Sequence, residues 1–132
     1  MRMTGRILLA LLLLAVPCHA YWIWTPETGR WINPKYAVKP TPEEQLAYAD
    51  SFRERGERDD AIREYRKLLK HYPKTASAAR ALWNLAGIYE ELGDDDAAFD
   101  FLQAIVDDHP ESPLVADAIR KQHAIAERMM SS

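Results

Sequence analysis

The sequence predicts an all-α stack of about five helices paired into hairpins, preceded by a short Trp-rich β-hairpin or extended flap. Three observations carry that expectation. The first is an internal echo at a spacing of 37 residues, the distance from Pro73 to Pro110. Tyr48, Ala49, Phe52, Gly56, Ala61, Tyr65, Leu68 and Pro73 recur in type as Leu85, Ala86, Tyr89, Gly93, Ala98, Leu102, Ile105 and Pro110. A unit of that size cannot bury its apolar face alone, so copies of it stack. The second is helical spacing of apolar residues between recognisable caps and stops. The third is small–large alternation: Ala49, Ala61, Ala86 and Ala98 allow close approach of antiparallel helices, and the larger rungs fill the space beside them.

The chain has 132 residues, which suits one small domain. Its hydrophobic fraction of 48% is inflated by the first twenty residues, and a formal net charge of -3 carries no mark of a nucleic-acid partner.

Residues 1–20 have the layout of a secretory signal peptide. Arg2 and Arg6 supply a positive start, and Ile7 to Val16 is an apolar run too short to span a bilayer as a helix. Pro17 breaks the run, and Cys18-His19-Ala20 offers small residues around a cleavage point after Ala20. The mature chain would then keep 15 of the 17 Lys/Arg against 20 Asp/Glu, a net of -5. Cys18 is the single cysteine. Lipidation of Cys18 is the lesser reading, because Pro17 fits poorly at the position before a lipoprotein Cys. Membrane contact is expected only through a lipidated Cys18 or through a partner. Without Cys18 the chain has no thiol and is held by packing alone.

Residues 21–40 form an aromatic preface. Tyr21-Trp22-Ile23-Trp24 and Trp31-Ile32 flank Pro26-Glu27-Thr28-Gly29, a turn signal between two β-prone runs. Pairing Thr25 with Arg30 sets Trp24 against Trp31 and Ile23 against Ile32. Two readings stand for Trp22, Trp24 and Trp31: a flap packed on the chain's own apolar surface, or a binding surface for a membrane, glycan or protein. Lys35 to Pro40 is expected to be an extended linker.

The helices follow in order. Thr41-Pro42-Glu43-Glu44 is a capping box with Pro at the first helical position, and the helix it opens runs to about Arg55, ended by Gly56. A second helix spans about Asp59 to His71 and stops at Tyr72-Pro73, closing repeat one at residues 41–73. Repeat two, residues 74–110, starts with Thr75 capping a helix from Ala76 to about Leu92, terminated by Gly93. Asp94, Asp95 and Asp96 then open a fourth helix, where carboxylates meet free N–H groups. Residues 111–132 read as a capping helix and tail: Ser112-Pro113 is expected to open a fifth helix to about Arg128. Its apolar stripe is Leu114, Ala118, Ile119 and Ile125, with Arg120, Lys121, Gln122 and His123 wetting the rest.

No catalytic constellation is present. His71, His109 and His123 have neither a Cys partner nor a zinc-type pairing, and His71 and His109 sit where a helix end favours a cation. Asp94 to Asp96 with Asp100 lack the alternating ligands and central Gly of a calcium loop. Neither a phosphate-cradling Gly loop nor a nucleophile elbow occurs. The sequence implies no enzyme, no metal and no cofactor.

The rung pattern resembles the tetratricopeptide repeat over residues 41–128, with a period longer than the usual value of about 34. The long form, with Tyr72-Pro73-Lys74-Thr75 followed by an Ala-rich helix start, is similar to periplasmic repeat proteins of the BamD/YfiO and YbgF/CpoB types. The resemblance implies a right-handed α-solenoid of about two and a half repeats, whose first helices line a concave groove. The groove positions it implies are Leu46, Asp50 and Arg53, then Arg80, Trp83, Asn84 and Gly87. Relatives that clamp a C-terminal carboxylate use Lys and Asn where Trp83 and Gly87 stand here, so that clamp is not expected. Trp83 has three readings: an anchor for a peptide, a seat for the Trp-rich preface, or core.

Charge is segregated. Residues 53–80 carry nine Lys/Arg against five Asp/Glu, and residues 81–118 carry ten acids and no Lys or Arg. Such a dipole steers partners and permits salt-sensitive head-to-tail self-association. The expected function is a non-catalytic protein-interaction scaffold, secreted or periplasmic, in or beside the outer membrane and accessory to outer-membrane protein assembly. Its alternative is a glycan or peptidoglycan binder using Trp22, Trp24 and Trp31.

Overall fold

The computed structural model describes residues 22–26, 29–33 and 35–132. The expected signal peptide, Cys18 and Tyr21 lie outside the described residues. Two units are present, the first ending at Ala37 and the second running from Val38 to Ser132.

In the first unit, β1 (Ile23–Thr25) and β2 (Arg30–Ile32) pair antiparallel in the expected register, with Ile23 opposite Ile32, Trp24 opposite Trp31 and Thr25 opposite Arg30. Gly29 closes the turn at φ 62, a left-handed conformation that costs glycine nothing, and its N–H donates to the Thr25 carbonyl at 2.9 Å. The expected extended linker is shorter than the sequence suggested. The Asn33 side chain accepts from Lys35 N at 3.0 Å, and its carbonyl accepts from Tyr36 N and Ala37 N. An Asn that bonds backbone two residues on makes a turn, so Lys35 to Ala37 curl and only Val38 to Pro40 continue without regular structure.

The second unit is five helices: α1 (Pro42–Glu54), α2 (Arg58–His71), α3 (Ala76–Glu91), α4 (Asp95–Asp108) and α5 (Val115–Ser131). Thr41 Oγ1, Thr75 Oγ1 and Asp94 Oδ1 cap α1, α3 and α4 by accepting from backbone N–H three residues on. The echo extends to the backbone. Gly56 and Gly93 have φ 76 and 77, and each closes the same helix-end motif. Glu57 N donates to Phe52 O and Asp94 N to Tyr89 O, both at 2.9 Å. Tyr72 and His109, also 37 apart, cap α2 and α4 with φ/ψ of -131/52 and -132/53.

The long period has a local cause. α3 starts 34 residues after α1 (42 to 76) but ends 37 after it (54 to 91), so three residues extend α3 at its N-terminus. Ser77 and Ala78 in that extension, and Ala79 just after it, are buried. Small side chains there let α3 close onto its neighbours.

Two apolar clusters form the core. The first contains Ala49, Ala61, Tyr65, Leu68, Ala81 and Ile88, and the second contains Ala86, Ala98, Leu102, Ile105, Ala118 and Ile125, the same six positions shifted by 37. Ala118 and Ile125 belong to α5, so α5 is the first helix of a third copy. Leu85 of the first set corresponds to Gln122, which is buried. That corrects the expectation of a wettable Gln122: its amide donates to Gln103 Oε1 at 2.9 Å and Phe99 O at 3.4 Å. Ile119, expected in the apolar stripe, is exposed instead. α5 also starts later than expected. Val115 N donates to Ser112 O and Leu114 N to Ser112 Oγ, so Ser112-Pro113 form a separate tight turn rather than the first turn of the helix.

One buried charge joins α1, α2 and the entering chain. Glu64 accepts from Gln45 Nε2 at 2.9 Å and from Lys67 Nζ at 2.9 Å, and Gln45 Oε1 accepts from Lys39 N. Tyr72 Oη donates to Lys39 O at 2.7 Å. A buried carboxylate is tolerated because each side of it is met by a donor.

Candidate protein-binding groove

α1 and α3 run side by side, and their solvent-facing residues define a groove of about 520 Å³ lined by Asp50, Arg53, Glu54, Arg80 and Asn84. Helical spacing places these groups. Asp50, Arg53 and Glu54 are three and four apart on α1, and Arg80 and Asn84 are four apart on α3.

The groove floor is fixed from behind. Tyr65 of α2 is fully buried, and a buried phenol needs a partner. Its hydroxyl donates to Asp50 Oδ1, which also accepts from Asn84 Nδ2 at 3.0 Å, while Asn84 Nδ2 reaches Tyr65 Oη at 3.2 Å. Burial, then the hydrogen bond to the Asp50 carboxylate, push the Tyr65 phenol well above its ordinary range. One carboxylate oxygen of Asp50 is thereby held by two neutral donors, so its direction is set before any ligand arrives.

Arg53 takes a second fixed position. A Cβ at Gly87 would lie 3.0 Å from Arg53 Nη2, so the missing side chain leaves room for the guanidinium across α3. Arg53 Nη2 reaches Glu91 Oε1 at 3.3 Å. Arg80 is exposed and makes no ion pair among the described residues. The groove thus offers an oriented carboxylate, a held guanidinium and an open one.

Of the positions implied by resemblance, Asp50, Arg53, Arg80 and Asn84 come together. Leu46 and Trp83 do not line this groove. Leu46 packs half-buried against the first core cluster, and Trp83 packs against the second, with Lys121 Nζ 4.8 Å over its ring. Glu54 and Tyr65 are groove groups that the sequence reading missed. The signal for Tyr65 was its hydroxyl: a core tyrosine demands a polar neighbour, and Asp50 and Asn84 were already placed on the adjoining helices.

In the hairpin unit, Trp22, Trp24 and Trp31 are 58%, 48% and 62% exposed, and the Trp24 and Trp31 rings face each other at 5.6 Å and 59°. Among the described residues no helix is long and apolar enough to cross a membrane. Also among them, no group of three or more His, Cys, Asp or Glu could hold a metal ion.

A stack of antiparallel helix pairs, with a charged groove lined by the first helix of each pair, defines a helical-repeat binding scaffold. The tetratricopeptide repeat family profile matches residues 46–113, just over half the chain, and the chain belongs to that family. No curated protein matches it. Tetratricopeptide repeats generally mediate protein–protein interactions, and proteins built from them are typically non-catalytic scaffolds.

Proposed function

We propose that this chain is an exported protein-interaction scaffold of the bacterial cell envelope, accessory to outer-membrane protein assembly, and that the α1/α3 groove takes a segment of its partner. The signal-peptide layout of residues 1–20 and the long repeat form support the location. The observation that carries the binding role is the Asp50–Tyr65–Asn84 network. It holds a carboxylate in place beside Arg53 and the open Arg80. A partner segment with both signs of charge fits: a carboxylate or carbonyl for Arg80, and an ammonium, guanidinium or amide N–H for Asp50 and Glu54. Pull-down from envelope extracts with Arg80→Glu beside the wild type tests this. The expected result is loss of the captured partner with an unchanged melting curve; full retention contradicts the groove.

The exposed Trp22, Trp24 and Trp31 favour a second reading, a glycan or peptidoglycan binder, since flat aromatic faces stack on sugar rings. Deleting residues 21–33 and running peptidoglycan sedimentation beside the pull-down separates the two. Loss of sedimentation alone assigns the hairpin to glycan; loss of protein capture alone assigns it to the partner.

A further inference from the structure

A second surface lies away from the groove, between the start of α4 and the end of α5. It is a pocket of about 520 Å³ lined by Asp96, Phe99 and Asp100 of α4 and Ala126, Met129 and Met130 of α5. The repeat itself shows what such a junction takes. Subtracting 37 from Ala126 gives Tyr89, which α4 covers by folding back after Gly93 and laying Phe101 against it, ring centroids 5.3 Å apart. Asp59 and Leu92, the counterparts of Asp96 and Met129, line an open pocket. Among the described residues no helix covers the corresponding spot on α5, and there an alanine stands where the earlier copy has an aromatic ring. Its walls are one aromatic ring and two methionines, whose flexible thioethers adapt to an incoming side chain.

The rim is acidic and unneutralised. Asp96 and Asp100 are one turn apart, exposed, and make no ion pair among the described residues. Their neighbours differ: Lys121 pairs with Glu90 at 2.8 Å, and Arg128 pairs with Asp95 at 2.6 Å. α5 thus spends its cations beside the pocket and leaves the two rim carboxylates open.

We propose that this pocket docks an amphipathic helix of a partner protein, in the place of the next repeat's second helix. A large apolar side chain of that helix sits among Phe99, Met129 and Met130, and Lys or Arg one turn apart face Asp96 and Asp100. Such an anchor-plus-flank pattern is how a helix is read by a groove. The surface is independent of the α1/α3 groove.

The test titrates the full chain into a labelled peptide of about 15 residues built from Leu and Lys, with Leu at helical spacing. Its controls are a scrambled peptide of the same composition and a Leu/Glu counterpart. Fluorescence anisotropy of the patterned Leu/Lys peptide is expected to saturate, with the controls weak. Reversing the rim with Asp96→Lys and Asp100→Lys, or placing a charge in the pocket with Met130→Asp, is expected to weaken binding about tenfold. Met130 is 80% exposed, so its substitution leaves the fold intact, which a melting curve checks. Arg80→Glu is expected to bind as the wild type does. Equal binding of the scrambled peptide, or pocket variants that bind like the wild type, overturns the proposal. Sedimentation equilibrium adds a further outcome: self-association abolished by the same substitutions would replace the partner helix with a second copy of this chain.

Discussion

Tyr65→Phe isolates the network under the groove. The substitution removes one hydroxyl and keeps the ring, so no cavity opens in the first cluster. What is lost is the bond that Tyr65 donates to the Asp50 carboxylate, with Asn84 still donating to the same oxygen at 3.0 Å. Bonds to a charged acceptor contribute about 1.5–3 kcal/mol. With Asn84 remaining, a loss of about 2 kcal/mol is expected, which for a unit of this size lowers Tm by roughly 8–16 °C. Urea and thermal melts at pH 7 measure it. The pH profile gives an independent sign. The native phenol is raised above its ordinary value, while in the unfolded chain it ionises near 10. Its contribution is therefore full below about pH 10 and is lost as pH rises beyond, because only the unfolded state releases the proton. The Phe variant lacks that alkaline limb. A variant within about 0.5 kcal/mol of wild type, or one with the same alkaline limb, refutes the network as described.

Three further outcomes follow from the geometry. Gly56→Ala and Gly93→Ala each force a side chain into the left-handed region with open space around it, so each is expected to cost about 1–2 kcal/mol in chemical denaturation. Unequal losses would contradict the equivalence of the two helix ends. Gly87→Ala is expected to stabilise α3 by about 0.5–1 kcal/mol while displacing the Arg53 guanidinium from Glu91. Denaturation with partner binding separates the two effects, and a destabilised variant counts against this placement. Arg128→Met removes the partner of Asp95, whose carboxyl the Arg128 hydrogen bond holds below its ordinary range. That contribution is present above the unfolded value near 4 and fades as pH falls through the lower native one. The Tm gap between variant and wild type should therefore close in acid, and a gap that persists there argues against the pair.

Where the sequence reading succeeded, the constraint was local. The hairpin register followed from a short turn ending in Gly29, and the helix ends followed from Thr41, Gly56, Thr75, Gly93 and Asp94, each acting within a few residues of itself. Where it failed, the deciding contact was distant. Gln122 looked like a solvent residue on α5 because its buried partners, Phe99 and Gln103, are on α4. Tyr48 looked like a core rung, yet it is 38% exposed with Lys39 Nζ 4.3 Å over its ring, because α1 has no earlier helix pair beside it among the described residues. Its echo Leu85 is fully buried only because α1 and α2 supply that neighbour. Of the groove, Asp50, Arg53 and Arg80 were visible, while Glu54 and the Tyr65 hydroxyl that orders Asp50 were not.

The charge segregation acquires a sharper form in three dimensions. Of the ten acids between residues 81 and 118, Glu90, Glu91 and Asp95 meet cations from other helices: Lys121 and Arg128 of α5, and Arg53 of α1. Exposed pairs of this kind add little stability, about 0–1 kcal/mol each, so their main effect is on where field remains. They neutralise the end of α3 that faces α1 and α5, together with the first residue of α4. Asp96, Asp100 and Asp108, none of them in an ion pair among the described residues, all project from α4. The groove, by contrast, holds carboxylates and guanidiniums together, so its net field is small beyond a Debye length of about 8 Å. In their proposed roles the two surfaces would discriminate by different physics. α4 would attract cationic partners over a distance, at a rate that falls with salt, while the groove would select by the fixed positions of Asp50, Arg53 and Arg80 once a segment is already in contact.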